Sequence, residues 1–314
     1  MAKYLFTDLT TSNATYQVNP QDFFNKALLG KNRSTNNFRT LVNVKATVKL
    51  GSLEFGSVLG AQSVTFATTG NAVLSAKTFT VTDISINTEF DQYTLEQSFI
   101  AQWMRQGSNI IDFGPAQFMD QYYERLSSRV SNDLELLTWQ GDTALTGVTS
   151  LKLVDGLEKQ LKVANEPTAI AVAAPIASIT PSNVLSAMSQ VILALPTALK
   201  YRKDELAFMV SPNVAQAYEI AAASLNTSAN VTQSLGLMYQ GIKVIPCDGL
   251  SANKMTISLG DNYVFATDLL SDDKEIITIE MKATTGDRTI RTISDIKFAV
   301  GYVNAPEIVT YNFG

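Results

Sequence analysis

The sequence contains no histidine. Imidazole is the common base for serine and cysteine nucleophiles and a common ligand of catalytic zinc, so those mechanisms are closed to a single copy of the chain. There is one cysteine, Cys247, which excludes an internal disulfide and a cysteine-rich metal centre and fits a reducing compartment. No base can be named for that thiol, and it reads as a small core residue. Charge is sparse: 17% of residues are Asp, Glu, Lys or Arg against 46% hydrophobic, a balance that favours extra burial within the chain or between copies. The net charge of -5 supplies no basic field to recommend nucleic acid as the main partner. Long apolar runs are missing as well. The most apolar stretch, Ala169 to Ile179, is short and interrupted by Pro175, and the N-terminal MAKYLFTDLTTSN has no apolar core of a secretion signal. The protein is therefore expected to be soluble and made in the cytosol, with no membrane partner. The N-x-S/T triplets at Asn13, Asn32, Asn226 and Asn230 are then chance matches.

What is present is organised around one helix. Pro115 suits a first helical position, Gly141 supplies a stop, and nothing between them breaks the pattern. Phe118, Tyr122, Leu126, Val130 and Leu134, handing over to Leu137, form one apolar stripe. The opposite face carries Asp120, Gln121, Glu124, Arg125, Ser127, Ser128, Arg129, Ser131, Asn132 and Asp133. It reads as a solvated face or as one that meets another subunit.

A chain of 314 residues buries a sizeable core and commonly divides into two domains. Residues 1–40 read as a polar arm with one short helix, capped at Asn19-Pro20 and showing Phe23 and Phe24 on its apolar side. A segment this polar orders only against something else. From Leu41 to Phe90 the pattern becomes strands, with Val44, Ala46, Val48 and Leu50 alternating first and Thr80, Thr82, Ile84, Ile86 and Phe90 last. A ribbon of this size belongs to a sheet or leans on a neighbour. Thr94 to Gln106 reads as a second helix, and residues 164–179 as a linker strand. An α/β region follows: a helix from Thr180-Pro181 to Leu195, a buried strand Leu206 to Val210, a helix begun by Ser211-Pro212, and strands at 241–246 and 255–259. Strand alternation returns at 275–281, 289–300 and 307–311.

The order of these pieces carries a resemblance. An arm, a hairpin extension, a long helix ending in W-Q-G-D (139–142), a following D-G-L (155–157), the Ser211-Pro212 helix, the G-I-K-V-I-P strand (241–246) and G-Y-V-N-A-P-E-I-V (301–309) resemble the major capsid proteins of tailed bacteriophages. That resemblance implies an α+β Hong Kong 97-like capsid fold: an N-terminal arm at 1–40, a β-hairpin E-loop with flanking strands at 41–90, and a P-domain at 91–179 with its spine helix at 115–140. An α/β A-domain at 180–270, P-domain return strands at 271–300 and a C-terminal A-domain strand at 301–314 complete it. It further implies self-assembly into pentamers and hexamers of an icosahedral shell that encloses double-stranded DNA without sequence-specific binding. The implied partners are portal, scaffolding, decoration and head-completion proteins, and the implied location is the virion capsid after synthesis in the host cytoplasm. No enzyme activity, catalytic residue, cofactor or metal is expected. Some relatives form lysine to asparagine links between subunits. Lys77 lies near the hairpin, but the sequence places no carboxylate beside it, and no such link is expected.

The subunit-interface candidates are Glu124 and Arg125 on the long helix and Phe23 and Phe24 on the arm. Arg129 and Asp133 pair within the helix at i,i+4, whereas Arg125 has only Gln121 and Arg129 at that spacing and is better answered from outside. Two other readings stay open. An encapsulin-like cargo compartment shares the implied fold. A carboxylate-dependent hydrolase would draw on Asp261, Asp268, Asp272 and Asp273, although such acids in loops are usually solvated turn residues.

Overall fold

The computed structural model describes residues 34–55, 58–59, 70, 72–91, 115–147, 150–225, 237–268, 276–281, 285–287 and 289–313. The arm through residue 33, with Phe23 and Phe24, the helix expected at 94–106 and residues 60–69 of the expected hairpin lie outside them.

The first of two sheets is built on its longest strand, β12 (Thr289–Tyr302). Along one edge β12 pairs antiparallel with β4 (Thr82–Asp91), from Thr289↔Asp91 to Phe298↔Thr82. Along the other it pairs end to end with β11 (Ile277–Glu280) and β10 (Tyr263–Thr267), and β10 in turn takes β1 (Arg39–Leu41) in parallel. The expected alternation holds in β4: Ile84 is buried and Ile86 and Phe90 half-buried, while Asp83, Ser85, Asn87 and Glu89 are exposed. The inward side of this sheet supports α1 (Pro115–Gln140), which runs between the two boundary residues read from the sequence. Tyr122 Oη lies 2.5 Å from Thr88 Oγ1 on β4, Tyr123 bonds Thr278 on β11, and Thr278 and Thr292 on β12 are 3.2 Å apart. These hydroxyls tie the helix across three strands while Val130, Leu134 and Leu137 enter the core. Two residues depart from the expected faces. Ser127, placed on the polar face, is buried on the same side as Tyr123 and Val130, and its Oγ is satisfied by donating back to Glu124 O at 2.9 Å. Glu135, which no periodicity marks, is buried too.

The second sheet has the order β5-β13-β9-β6-β8-β7, formed by β5 (Ile170–Ala171), β6 (Leu206–Val210), β7 (Met238–Tyr239), β8 (Ile242–Pro246), β9 (Met255–Leu259) and β13 (Val309–Tyr311). Every residue of β6 is buried, as a central strand covered on both faces requires. Leu206, Phe208 and Val210 face α3 (Val184–Leu193) and α4 (Pro212–Leu225), whereas Ala207 and Met209 join Tyr263, Phe265, Phe298 and the last turns of α1 in the other core cluster. One apolar core thus reaches from the first sheet to the second. Two strands fall away from the expected segment boundaries: β5, in the stretch read as a linker, belongs to the second sheet, and β10, in the segment read as axial, belongs to the first.

The third piece is a ribbon. Among the described residues β2 (Thr47–Phe55) and β3 (Ala72–Thr80) pair only with each other, from Thr47↔Thr80 to Phe55↔Ala72. Nine residues per strand at about 3.3 Å each make it roughly 30 Å long.

Candidate assembly surfaces

The C-terminal end of α1 is where the two sheets are joined, and it is nearly seamless. The one-turn helix α2 (Leu157–Gln160) follows the D-G-L turn, and three glycines let backbones touch. A Cβ on Gly141 would lie 2.2 Å from Val154 O, one on Gly156 2.5 Å from Trp139 O, and one on Gly249 2.2 Å from Glu135 O. Gln140 Nε2 donates to Gly249 O at 2.7 Å, and Gly156 N to Gly141 O at 2.8 Å. Around this joint Trp139 is fully buried, and its Nε1 donates to Ser34 Oγ at 3.0 Å while Ser34 Oγ donates to Glu135 Oε1 at 2.6 Å. The stretch that leaves the arm is thereby pinned to the helix, with the Phe38 ring 5.2 Å from that of Tyr263. On the far side Glu158 receives Ser251 N at 2.7 Å, Ser251 Oγ at 2.9 Å and Lys254 Nζ at 2.5 Å, tying α2 to the second sheet's loops. Lys159 is clamped between Asp142 at 2.6 Å and Asp155 at 2.7 Å. The hydrogen bonds that its ammonium donates to those carboxylates raise its pKa, and the one to Asp142 lowers the pKa of that carboxyl.

On α1 the structure leaves Glu124 and Arg125 exposed side by side, with Ser128, Arg129 and Asn132 along the same face. Arg129 is spoken for: its Nε and a terminal nitrogen each lie 3.1 Å from Asp133 carboxylate oxygens. Exposed pairs of this kind contribute about 0.3–0.5 kcal/mol. No side-chain partner engages Glu124 or Arg125 among the described residues.

The ribbon shows the larger unpaired surface. Along the side of β3 that faces the body, Phe79 is buried, Lys77 half-buried, and Ser75 and Val73 exposed; on the opposite side Leu74, Ala76, Thr78 and Thr80 are all exposed. Val73 at 58% and Leu74 at 76% exposure are neighbours in sequence and so point to opposite faces of the ribbon. Val58 and Leu59 beyond β2 are likewise exposed. Apolar side chains on both faces of an unsupported ribbon call for a cover on both sides. Only exposure could have revealed this, because Val73 and Leu74 in sequence read as ordinary strand residues.

The acids weighed for hydrolysis do not converge. Asp261 is exposed in a single 3-10 turn, and Asp268 is buried with its carboxylate 3.9 Å from Lys297 Nζ. The five-residue β10 stands between them and holds them apart by about 16 Å, beyond the roughly 5–10 Å over which paired carboxylates act together. Asp272 and Asp273 lie outside the described residues. Burial pushes the Cys247 thiol well above its ordinary range, and the charges of Glu135 and Asp248 add to this, which fits a core residue. No helix among the described residues is long and apolar enough to cross a membrane.

No protein-family model matches the chain, and no curated protein does. Solved structures do. A chain of the satellite phage P4 procapsid that includes the size determination (Sid) protein superposes with a TM-score of 0.56 at 10% identity, over 92% of this chain and 98% of that one. The capsid of an empty GTA particle gives 0.52 at 13% identity, over 97% and 95%. A chain of Mycobacterium phage Cain gives 0.53 at 10% identity, over 99% and 94%. The fold is that of phage capsid chains. At such identity the likeness is one of fold and hardly at all of shared residues.

Proposed function

We propose that the chain is a major capsid protein, the repeated subunit of an icosahedral shell of a tailed phage, assembling as pentamers and hexamers around packaged double-stranded DNA. The observation that carries this reading is the ribbon: a chain with a capsid fold extends two strands whose outer half exposes Val73 and Leu74 on opposite faces. In a monomer that surface costs solubility, whereas in a shell adjacent copies cover it. Rings follow from a head-to-tail contact that closes, and a shell from a second contact linking rings. The net charge of -5 suits a container whose lumen must leave DNA free to move.

In this reading the first sheet with α1 is the P-domain of a Hong Kong 97-like fold, the second sheet with α3 and α4 is the A-domain, and β2–β3 is the E-loop. β5 then counts with the A-domain and β10 with the P-domain. Glu124 and Arg125 on the spine helix, with Phe23 and Phe24 on the arm, contact adjacent subunits. Portal, scaffolding, decoration and head-completion proteins join the shell, which forms after synthesis in the host cytoplasm. The capsid structures matched here lend no support to a cargo-compartment role.

Negative-stain microscopy and analytical sedimentation of the purified, overexpressed chain test the proposal. Closed rings and shells are the expected result. Single copies alone, in every salt and crowding condition and with the phage's other head proteins supplied, would overturn it.

A further inference from the structure

The ribbon meets the body at two places of different character. At its root the ties are close and partly buried: Lys297 Nζ donates to Lys45 O at 2.6 Å, Val81 N to Ala46 O at 3.0 Å, and Phe79 packs on Gly301, where a Cβ would come within 2.7 Å of the Phe79 ring. Two residues further out, on the same side of β3, Lys77 Nζ sits 3.9 Å above the Tyr302 ring centroid and 3.8 Å from Glu166 Oε2, longer than a hydrogen bond. Tyr302 Oη donates to that same oxygen at 2.6 Å, and Thr168 Oγ1 donates to the other. Beyond Lys77 the strand is exposed on both sides. Among the described residues, the ribbon's direction relative to the body is therefore set by a firm pivot and an outlying contact, made of a partly exposed lysine against a carboxylate that is already held by two hydroxyls.

We propose that Lys77, Glu166 and Tyr302 form a releasable latch that fixes the ribbon in one orientation about the Phe79–Lys297 pivot, and that opening it frees the ribbon to swing onto a neighbouring copy. The first half is a property of the single chain. The second rests on the shell proposed above. The geometry explains why this contact is the one to give way. Glu166 keeps its Tyr302 and Thr168 hydrogen bonds when Lys77 leaves, Lys77 regains full hydration, and the pivot contacts are untouched, so no buried polar group is orphaned by release.

The test uses the unassembled full-length chain with nitroxide labels on cysteines introduced at the exposed positions Ser75 and Lys152, the native Cys247 being buried and unlabelled. Double electron–electron resonance should give one narrow distance distribution for the parent. Lys77→Met, which keeps the hydrocarbon stem over Tyr302, and Glu166→Gln should each broaden it severalfold, Lys77→Arg should restore it, and the Lys77→Met/Glu166→Gln pair should be no broader than either single variant. A thermal unfolding scan of each variant verifies that the body stays folded. A parent distribution already broad, or a narrow one surviving both single substitutions, would overturn the latch. If the substitutions release the ribbon and the assembly lag at low protein concentration is unchanged, the swing onto a neighbour is overturned while the latch stands.

Discussion

Gly249 has no room for a side chain: a Cβ would lie 2.2 Å from Glu135 O and 2.8 Å from a Trp139 ring carbon, atoms that are backbone or fully packed and have nowhere to move. Gly249→Ala is expected to destabilise the unassembled chain by about 1–3 kcal/mol, the usual cost of overpacking, measured as a drop in the denaturant midpoint at unchanged slope. Gly141 and Gly156 were legible as a helix stop and a turn. The crowding at Gly249 was not, because the atoms that crowd it belong to a helix far away in sequence. Glu166 carries a second residue-scale prediction. Burial raises its pKa, but hydrogen bonds from Thr168 and Tyr302 and the charge of Lys77 outweigh this and leave it below the ordinary carboxylate value. A carboxyl whose folded pKa is depressed contributes stability that is present above its unfolded pKa and lost as pH falls through the folded one. The ribbon should therefore be held at neutral pH and loosen at pH values below about 4.3, the ordinary glutamate value. Glu166→Gln should flatten that part of the pH profile when the label distance is followed from pH 7 downward.

At the scale of elements, α1 shows what periodicity does and does not deliver. Its ends were legible from Pro115 and Gly141, and its apolar stripe from the i+4 spacing, because both signals are local. Tyr123, Ser127 and Glu135 escaped: one lies next to the stripe and bonds a threonine on β11, one is buried with its hydroxyl satisfied by its own helix, and one is bonded by the arm residue Ser34 and by Trp139. The partners on β11 and on the arm are not visible in a helical repeat. The exposed face did come out as expected at Glu124, Arg125, Ser128 and Arg129. With Arg129 committed to Asp133, the charges of Glu124 and Arg125 are those on this face, among the described residues, that no side chain of the same copy answers. Arg125→Glu is expected to lower the yield of sedimenting particles roughly tenfold, equivalent to about 1.4 kcal/mol per contact, while the unfolding free energy of the unassembled chain moves by less than about 0.5 kcal/mol. Equal particle yields for the two proteins would remove Arg125 from the interface.

At the scale of the whole molecule, many of the strands were legible and their partners were not. Arg39–Leu41 and Tyr263–Thr267 were not read as strands, yet the two lie parallel in one sheet, and Ile170–Ala171 pairs with Val309–Thr310 across most of the second half of the chain. Pairing of this range is decided by which faces share a core, a property of the folded whole. The same limit applies to the ribbon: Val48 and Leu50 follow from the alternation, but that Val73 and Leu74 are exposed follows only from the fold. Burying a valine or a leucine side chain is worth about 1.5–3 kcal/mol, and in a shell every subunit would gain it. Val73→Ser/Leu74→Ser should therefore separate folding from assembly. Both side chains are already in water in the single chain, so the thermal midpoint of the unassembled variant should stay within a few degrees of the parent. Removing two apolar contacts per copy should raise the concentration at which shells first form by at least tenfold, read by light scattering across a dilution series. A parent-like threshold would mean that these two side chains stay in water in the assembled particle, and that the cover the ribbon needs is supplied elsewhere along its length.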